Sequence, residues 1–384
     1  MNTMDDEAVE ITRIEAWACR HPIDRPVMTS FGTMRDRPAV FVRLEERRGC
    51  FGWGEIFANW PASGAEHRVN LLMQDIAELA VAEPVAAPAD LFARLSDATA
   101  IRALQCGEWG PFRQVIAGLD IALWDLFARR AGMPLRTYLD PSARDRVPAY
   151  ASGIAIRDAG GMIASARAAG FDAFKVKVGF GDEDIGRLSE QFDALADDER
   201  LCADANQAWD LPAALDFVER AAGFGLQWLE EPIRADAPDE AWQVLARHTG
   251  IPLAGGENIA GMEAFSSAIE TGALAVLQPD VAKWGGITGC RAVAEAALAA
   301  GKRYCPHFLG GGIGLAASAE LLAAIGGDGR LEVDVNDNPL RDGFWPMAEA
   351  VHDGRWHMSE APGLGIEQLP EAARSCVTLY RAWE

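Results

Sequence analysis

What this 384-residue chain lacks narrows its possible roles. Basic side chains are scarce, 35 Lys and Arg against 57 Asp and Glu, giving a net charge of −22. Nucleic acid and anionic membranes both need basic patches, so neither is an expected partner. No apolar run approaches the roughly 20 residues that span a bilayer. The N-terminus, MNTMDDEAVE, is acidic and shows no apolar core of a secretory signal. Seven cysteines, at 19, 50, 106, 202, 290, 305 and 376, include no CxxC pair. Odd in number and scattered, they indicate reduced thiols in a cytoplasmic protein rather than a disulfide framework or a zinc site. No Gly-x-Gly-x-x-Gly follows the first strand of the α/β region, which counts against a dinucleotide-binding fold.

What is present centres on three short acidic pieces, CADAN, WLEEP and AGGEN. Each follows an apolar lead-in that reads as a buried strand, and each puts an acid at the strand's C-terminal end: Asp204, Glu230 and Glu257. Their spacing is nearly equal, about what one strand, one loop and one returning helix consume, so they occupy the same position in successive βα units. In a closed parallel barrel such positions converge on one face. Three converging carboxylates repel unless a positive charge sits between them, and a hard divalent cation with oxygen ligands suits that place. A lone acid after a strand is more often a helix N-cap; three in register are not.

The rest of the chain supports a barrel with a smaller domain, a size and composition (49% apolar, 24% charged) suited to a soluble protein. Residues 10–20, 38–45 and 50–55 read as an antiparallel meander. Between its first two strands HPIDRPVMTSFGTMRD is polar and proline-interrupted and predicts a long loop; Phe57–Ser63 is a second irregular stretch. Val115, Ile116, Leu119, Leu123, Leu126 and Phe127 stripe a helix over Phe112–Ala131, which Gly132 and Pro134 stop. From about Arg146 eight candidate strands alternate with helices: Val147–Ala151, Ala173–Val178, Leu201–Asp204, Leu226–Glu230, Leu253–Ala254, Ala275–Leu277, Lys302–Cys305 and Leu331–Val335. That rhythm favours a barrel over an open doubly wound sheet. The tail from Trp345 has little periodicity and is expected to fold back onto the N-terminal domain.

Other strand ends carry a second set of groups. Lys175 and Lys177 are one residue apart in a strand, so both face the barrel interior. Mutual repulsion, desolvation and a nearby cation are expected to depress a lysine pKa there, as a general base near neutral pH requires. Asp280 and His307 lie at neighbouring strand ends, within reach of one another, and Glu332 ends the eighth strand. A carboxylate on one imidazole nitrogen fixes the tautomer and leaves the other nitrogen to move a proton. Lys283, past the strand end, reads as a loop lysine, and Glu231 should point away from the acid trio in a regular strand. A lysine and a histidine on opposite sides of a substrate carboxylate suit exchange of the α-proton or β-elimination of water.

These motifs resemble the enolase superfamily, and more closely the mandelate racemase subgroup of the mandelate racemase/muconate lactonizing enzyme family. The resemblance rests on GLDIALWDLFARRAGMPL, KVK, DAN, LEEP, GGEN, QPDVAKWGGITG, Pro306-His307 and PGLGIE, and covers nearly the whole chain. It implies an α/β fold, a modified TIM barrel (β/α)7β spanning 146–344 with an α+β capping domain from 1–145 and 345–384. It implies one Mg2+ per subunit on Asp204, Glu230 and Glu257, with Lys177 as one acid/base and the Asp280–His307 dyad as the other. Lys175 would tune Lys177 and touch the substrate carboxylate, and protonated Glu332 would donate to it. Asn206 and Ser152 are further candidate substrate contacts. Muconate-lactonizing and dipeptide-epimerising relatives carry lysine where Asp280 stands, which favours the racemase-like subgroup. Two cap loops, near Arg20–Arg35 and Glu55–Ser63, would close over the site. In the first of these, Arg35 and Arg37 read either as contacts to a distal carboxylate or hydroxyls or as surface arginines. The expected partner is a small-molecule carboxylate, and the expected assembly a homo-oligomer, dimer or octamer. The expected reaction is dehydration of an acid sugar, with racemisation, epimerisation or aldarolactone cycloisomerisation as runners-up. A metal-independent barrel glycoside hydrolase using Glu230 is the reading from a different class.

Overall fold

The computed structural model describes residues 8–29 and 32–384, with the side chains of Met28 and Thr29 left aside. Met1–Glu7, most of the stretch read for a leader, and Ser30 and Phe31 within the first expected cap loop lie outside the described residues.

Strands β1 (Ile11–Thr29), β2 (Gly32–Glu46) and β3 (Phe51–Ile56) form the expected meander. The stretch predicted as a long loop is instead the outer half of a β-ribbon. β1 and β2 resume pairing at Val27↔Met34 and continue to Thr29↔Gly32, after an irregularity between Pro22 and Val27. A two-stranded ribbon pairs its inward backbone groups and leaves the outward ones to water, so it needs no apolar face, while Pro22 and Pro26 flank the interruption in the ladder. Behind the meander packs the helix Trp109–Arg130, three residues longer at its start than its stripe predicted. Gly54 and Gly52 of β3 allow the close approach: a Cβ on Gly54 would lie 2.0 Å from the Gly118 carbonyl oxygen, and one on Gly52 2.0 Å from that of Ala122.

Eight strands then follow at the predicted places: β4 (Arg146–Ala155), β5 (Ala173–Lys177), β6 (Arg200–Asp204), β7 (Leu229–Glu230), β8 (Leu253–Gly255), β9 (Val276–Leu277), β10 (Arg303–Tyr304) and β11 (Leu331–Asp334). They pair in parallel in chain order from β4 to β10, and β11 returns to pair with β4. Among the described residues no backbone ladder joins β10 to β11; there Arg330 N donates to Cys305 Sγ at 3.4 Å. The tail divides. β13 (Arg355–His357) pairs antiparallel with β4 and β12 (Val351–His352) antiparallel with β13, extending the barrel sheet, whereas β14 (Val377–Trp383) adds the fourth strand to the meander beside β1.

Inside the barrel a separate apolar cluster of Tyr150, Ala173, Cys202, Trp228, Ala254, Val276 and Cys305 forms a floor, with Tyr150 edge-on to Trp228 at 5.2 Å. Two residues further along the same strands come Ser152, Lys175, Asp204, Glu230 and His307. Alternation with period two therefore places a polar layer directly above an apolar one.

Candidate active site

The polar layer is a continuous network of charges. Lys175, 1% exposed, sets its Nζ 2.7 and 2.8 Å from the two oxygens of Glu230 and 2.7 Å from Glu332 Oε1. Lys177 Nζ stands 3.1 Å from Asp204 Oδ2 and donates to Asn206 Oδ1 at 2.5 Å. Asp204 and Glu230 are register partners across β6 and β7. Across the mouth, His307 Nδ1 is 2.8 Å from Asp280 Oδ2, and its Nε2 is 3.1 Å from Glu257 Oε2. Asp280 Oδ1 also accepts from the backbone N–H groups of Ala282 and Lys283 at 2.8 and 3.1 Å, which fixes the carboxylate that orients the imidazole. Ser152 Oγ donates to Glu332 Oε1 at 2.5 Å.

The network thus gathers Lys175, Lys177, Asp204, Asn206, Glu230, Glu257, Asp280, His307, Glu332 and Ser152. Arg35 is not gathered: it is exposed on β2, and among the described residues no contact joins it to the cluster. Its neighbour Arg37 is buried instead, donating to Asp334 Oδ2 at 2.7 Å and to the Asp337 carbonyl at 3.0 Å, so it ties the ribbon's base to the end of β11.

The electrostatics correct several expectations. Burial opposes the charged form of Lys175 and Lys177, yet both are raised above the ordinary lysine range, Lys175 by Glu230 and Glu332 and Lys177 by Asp204. The sequence shows the two ammonium groups as neighbours but not how closely the acids enclose them. His307 likewise resists burial and is raised to about 10, chiefly by Glu257 and Glu332. Glu332, expected to donate as an acid, accepts from Ser152 and from Phe308 N at 3.3 Å, and Lys175 holds its carboxyl below the usual range against the cost of burial.

Glu231 does not point away. Its φ of +36° takes it out of regular strand geometry, and both its oxygens accept from Asn258 Nδ2, at 3.0 and 2.9 Å. Burial and the nearby Glu257 raise its carboxyl to about 8. Lys283 reaches the cluster although it comes from a loop, with Nζ 3.1 Å from Glu257 Oε2 and 2.9 Å from Asn258 Oδ1. Gln278, overlooked in the sequence, donates to Glu230 Oε2 at 2.6 Å. The one signal for Gln278 is its position two residues before Asp280. The Glu55–Ser63 stretch lies over this side of the mouth: Phe57 N donates to the Ala282 carbonyl at 3.2 Å, and Asn59 Nδ2 to the Leu309 carbonyl at 2.7 Å.

Among the described residues no three His, Cys, Asp or Glu side chains surround one point as a bound metal would require. The acid oxygens are met by lysine, glutamine and histidine instead. The donor chemistry still fits a hard divalent cation, because Asp204, Glu230 and Glu257 offer only oxygens from three consecutive strand ends. A family pattern described as "Enolase C-terminal domain-like" matches residues 161–372, and "Mandelate racemase / muconate lactonizing enzyme, N-terminal domain" matches residues 12–139. The chain belongs to the mandelate racemase/muconate lactonizing enzyme family. Its membership makes it an enolase-superfamily enzyme with a cap and an α/β barrel. D-galactarolactone cycloisomerase from Agrobacterium fabrum is 30% identical over 375 residues, covering 94% of this chain and 96% of that one. The crystal structure of a mandelate racemase/muconate lactonizing enzyme from Bordetella bronchiseptica RB50 superposes with a TM-score of 0.91 at 47% identity, over 96% of this chain and all (100%) of that one. L-talarate dehydratase from Polaromonas sp. JS666, solved with Mg and L-glucarate, gives a TM-score of 0.82 at 27% identity, covering 97% of this chain and 99% of that one.

Proposed function

We propose that this enzyme abstracts the α-proton of a hydroxy-carboxylate and that its overall reaction is the dehydration of an acid sugar. One observation carries the reading: Lys177 from β5 and the Asp280–His307 pair from β9 and β10 enter a single buried network from well-separated strands of the barrel. A substrate held between them has one proton-transfer group on each face. Lys177 takes the α-proton; Asp204, which holds its ammonium above the ordinary range, would be engaged instead by the bound cation. His307, held through Nδ1 by Asp280, presents Nε2 to protonate the departing β-hydroxyl. Lys175 and, when protonated, Glu332 orient the substrate carboxylate, and Asn206 and Ser152 line its hydroxyls. Mg2+ held by Asp204, Glu230 and Glu257 would supply Lewis-acid stabilisation of the negative charge that develops at the substrate carboxylate.

The Polaromonas dehydratase with its magnesium and acid-sugar ligand supports this reading. The Agrobacterium relative, a D-galactarolactone cycloisomerase, favours a second one, cycloisomerisation of an aldarolactone. Incubating the magnesium-loaded protein with acid sugars and aldarolactones in D2O tests both. A keto acid that reacts with semicarbazide supports dehydration, and a ring-opened or rearranged isomer without a keto group supports cycloisomerisation. Absence of α-deuterium and of product from every substrate would overturn the proton-abstraction step, and activity that survives EDTA would overturn the metal.

The same reading has residues 146–344, with β12 and β13 of the tail added to their sheet, as the catalytic barrel, 1–145 with the rest of 345–384 as the cap, and the enzyme as a cytoplasmic homo-oligomer. Ile101 and Leu104, each 74% exposed, and Trp109 at 55% support the assembly, since large apolar side chains left in water favour burial against another subunit. Light scattering checks it.

A further inference from the structure

Beyond the barrel, the two ends of the chain bring two cysteines together. Cys19 on β1 is the register partner of Val377 on β14, and the pairing shifts between Ala18 and Cys19. Arg20 N donates to the Cys376 carbonyl at 3.0 Å, so Cys376 lies beside the Cys19–Arg20 step. The shift turns both side chains toward one spot. Cys19 Sγ donates to the Ala373 carbonyl at 3.4 Å and Cys376 Sγ approaches the same oxygen at 3.5 Å, so the two sulfurs converge on one acceptor. Two thiols in an apolar seam could serve only as small packing groups. Two features argue for more: Cys19 is fully buried while Cys376 is only half-buried, and both sulfurs come to the same carbonyl oxygen from strands at opposite ends of the chain.

We propose that Cys19 and Cys376 are an oxidation site at which a reversible disulfide joins the first strand of the chain to the last. The oxidant is a low-molecular-weight disulfide such as oxidised glutathione. Cys376, as thiolate, attacks one sulfur of that disulfide, forming a mixed disulfide and releasing one glutathione thiolate. Cys19 then attacks Cys376 Sγ, forming the protein disulfide and expelling the second glutathione, which carries away the Cys19 proton. Protein dithiol and one oxidised glutathione become protein disulfide and two reduced glutathiones. When Cys376 ionises, the Cys19 proton can turn from the Ala373 carbonyl to that sulfur; this hydrogen bond favours the Cys376 thiolate and, against burial, brings that thiol down to about 7, so the less buried sulfur is also the better nucleophile. Cys19 is raised above the ordinary thiol range by that hydrogen bond and by burial, which suits a resolving thiol.

The bond would fix the foot of the ribbon, because Arg20 next door grips Glu66 at 2.9 Å and Asp36 at 3.2 Å. Oxidised glutathione applied to the folded, full-length protein tests this, followed by alkylation, trypsin and mass spectrometry. The expected product joins the tryptic peptides Ile14–Arg20 and Ser375–Arg381, consumes two of the seven thiols, raises Tm and reverts with dithiothreitol. Cys19→Ser should stop at a glutathione adduct on Cys376, and Cys376→Ser should give neither adduct nor link at this seam. A wild-type protein that accumulates the Cys376 adduct without the linked peptides, or that links them only after unfolding in urea, would overturn the proposal.

Discussion

Buried carboxylates occur in two regions of this molecule, and their partners differ in kind. At the seam between cap and barrel they are met by backbone N–H groups and arginines. Glu55 accepts from Gly311 N and Gly314 N at 2.5 and 2.8 Å, Asp125 from Trp53 N and Leu364 N at 2.7 and 2.6 Å, and Glu320 pairs with Arg136 at 2.9 Å. At the barrel mouth the acids face Lys175, Lys177, Lys283 and His307. Amide and guanidinium donors cannot give up a proton in the accessible pH range, whereas ammonium and imidazolium can. The seam is thus built to hold geometry, and the mouth to pass protons.

The largest way to break that contrast is at the mouth. Lys177→Ala and His307→Asn should each lower α-proton exchange by about 10²–10⁴-fold. Far-UV circular dichroism should stay unchanged, and loss of the fold in both variants would mean that these groups are structural too. Next comes the seam. Arg136→Leu leaves Glu320 buried without its cation and should cost about 3 kcal/mol in urea unfolding, while turnover per folded molecule stays the same. Replacing both partners by leucine should recover much of that loss, because no charge is then left stranded. Glu55→Gln keeps one acceptor oxygen of two and should cost about 1–2 kcal/mol, read the same way.

Mouth and seam also differ in how legible they were. The mouth could be read because period-two alternation and βα spacing are local: an acid after an apolar strand announces its face, and all eight barrel strands fell where the pattern put them. What failed there was directional. Glu231 leaves the strand geometry at a positive φ, and Lys283 reaches back from a loop, neither of which alternation can predict. Nor does the sequence show how closely acids pack around the two ammonium groups, which is what raises both lysines. The seam was almost invisible. Arg37 and Asp334, or Glu55 and Gly311, are hundreds of residues apart and carry no periodic signal, and the ribbon reads as a loop in the sequence because two-stranded pairing needs no apolar face.

The last prediction concerns slope rather than size and separates the two regions by pH. Asp120, on the cap helix, accepts from Thr288 N and Thr288 Oγ1 at 2.9 and 2.6 Å, at the N-terminus of the barrel helix Gly286–Ala299. Burial raises its carboxyl to about 7 in spite of those bonds. An unfolded Asp titrates near 4, so between about 4 and 7 the folded chain holds a proton that the unfolded chain has released. This group's contribution to stability is therefore greatest below about 4, and falls as pH rises toward 7 by at most about 1.4 kcal/mol per unit. Asp120→Asn removes that slope and adds a pH-independent loss from the altered hydrogen bonds. The wild-type advantage in urea unfolding should accordingly be largest near pH 4 and shrink by pH 7. A difference that stays constant across that range would mean that Asp120 remains ionised in the folded protein, held by the helix N-terminus, and that fixed donors alone can keep a seam carboxylate charged.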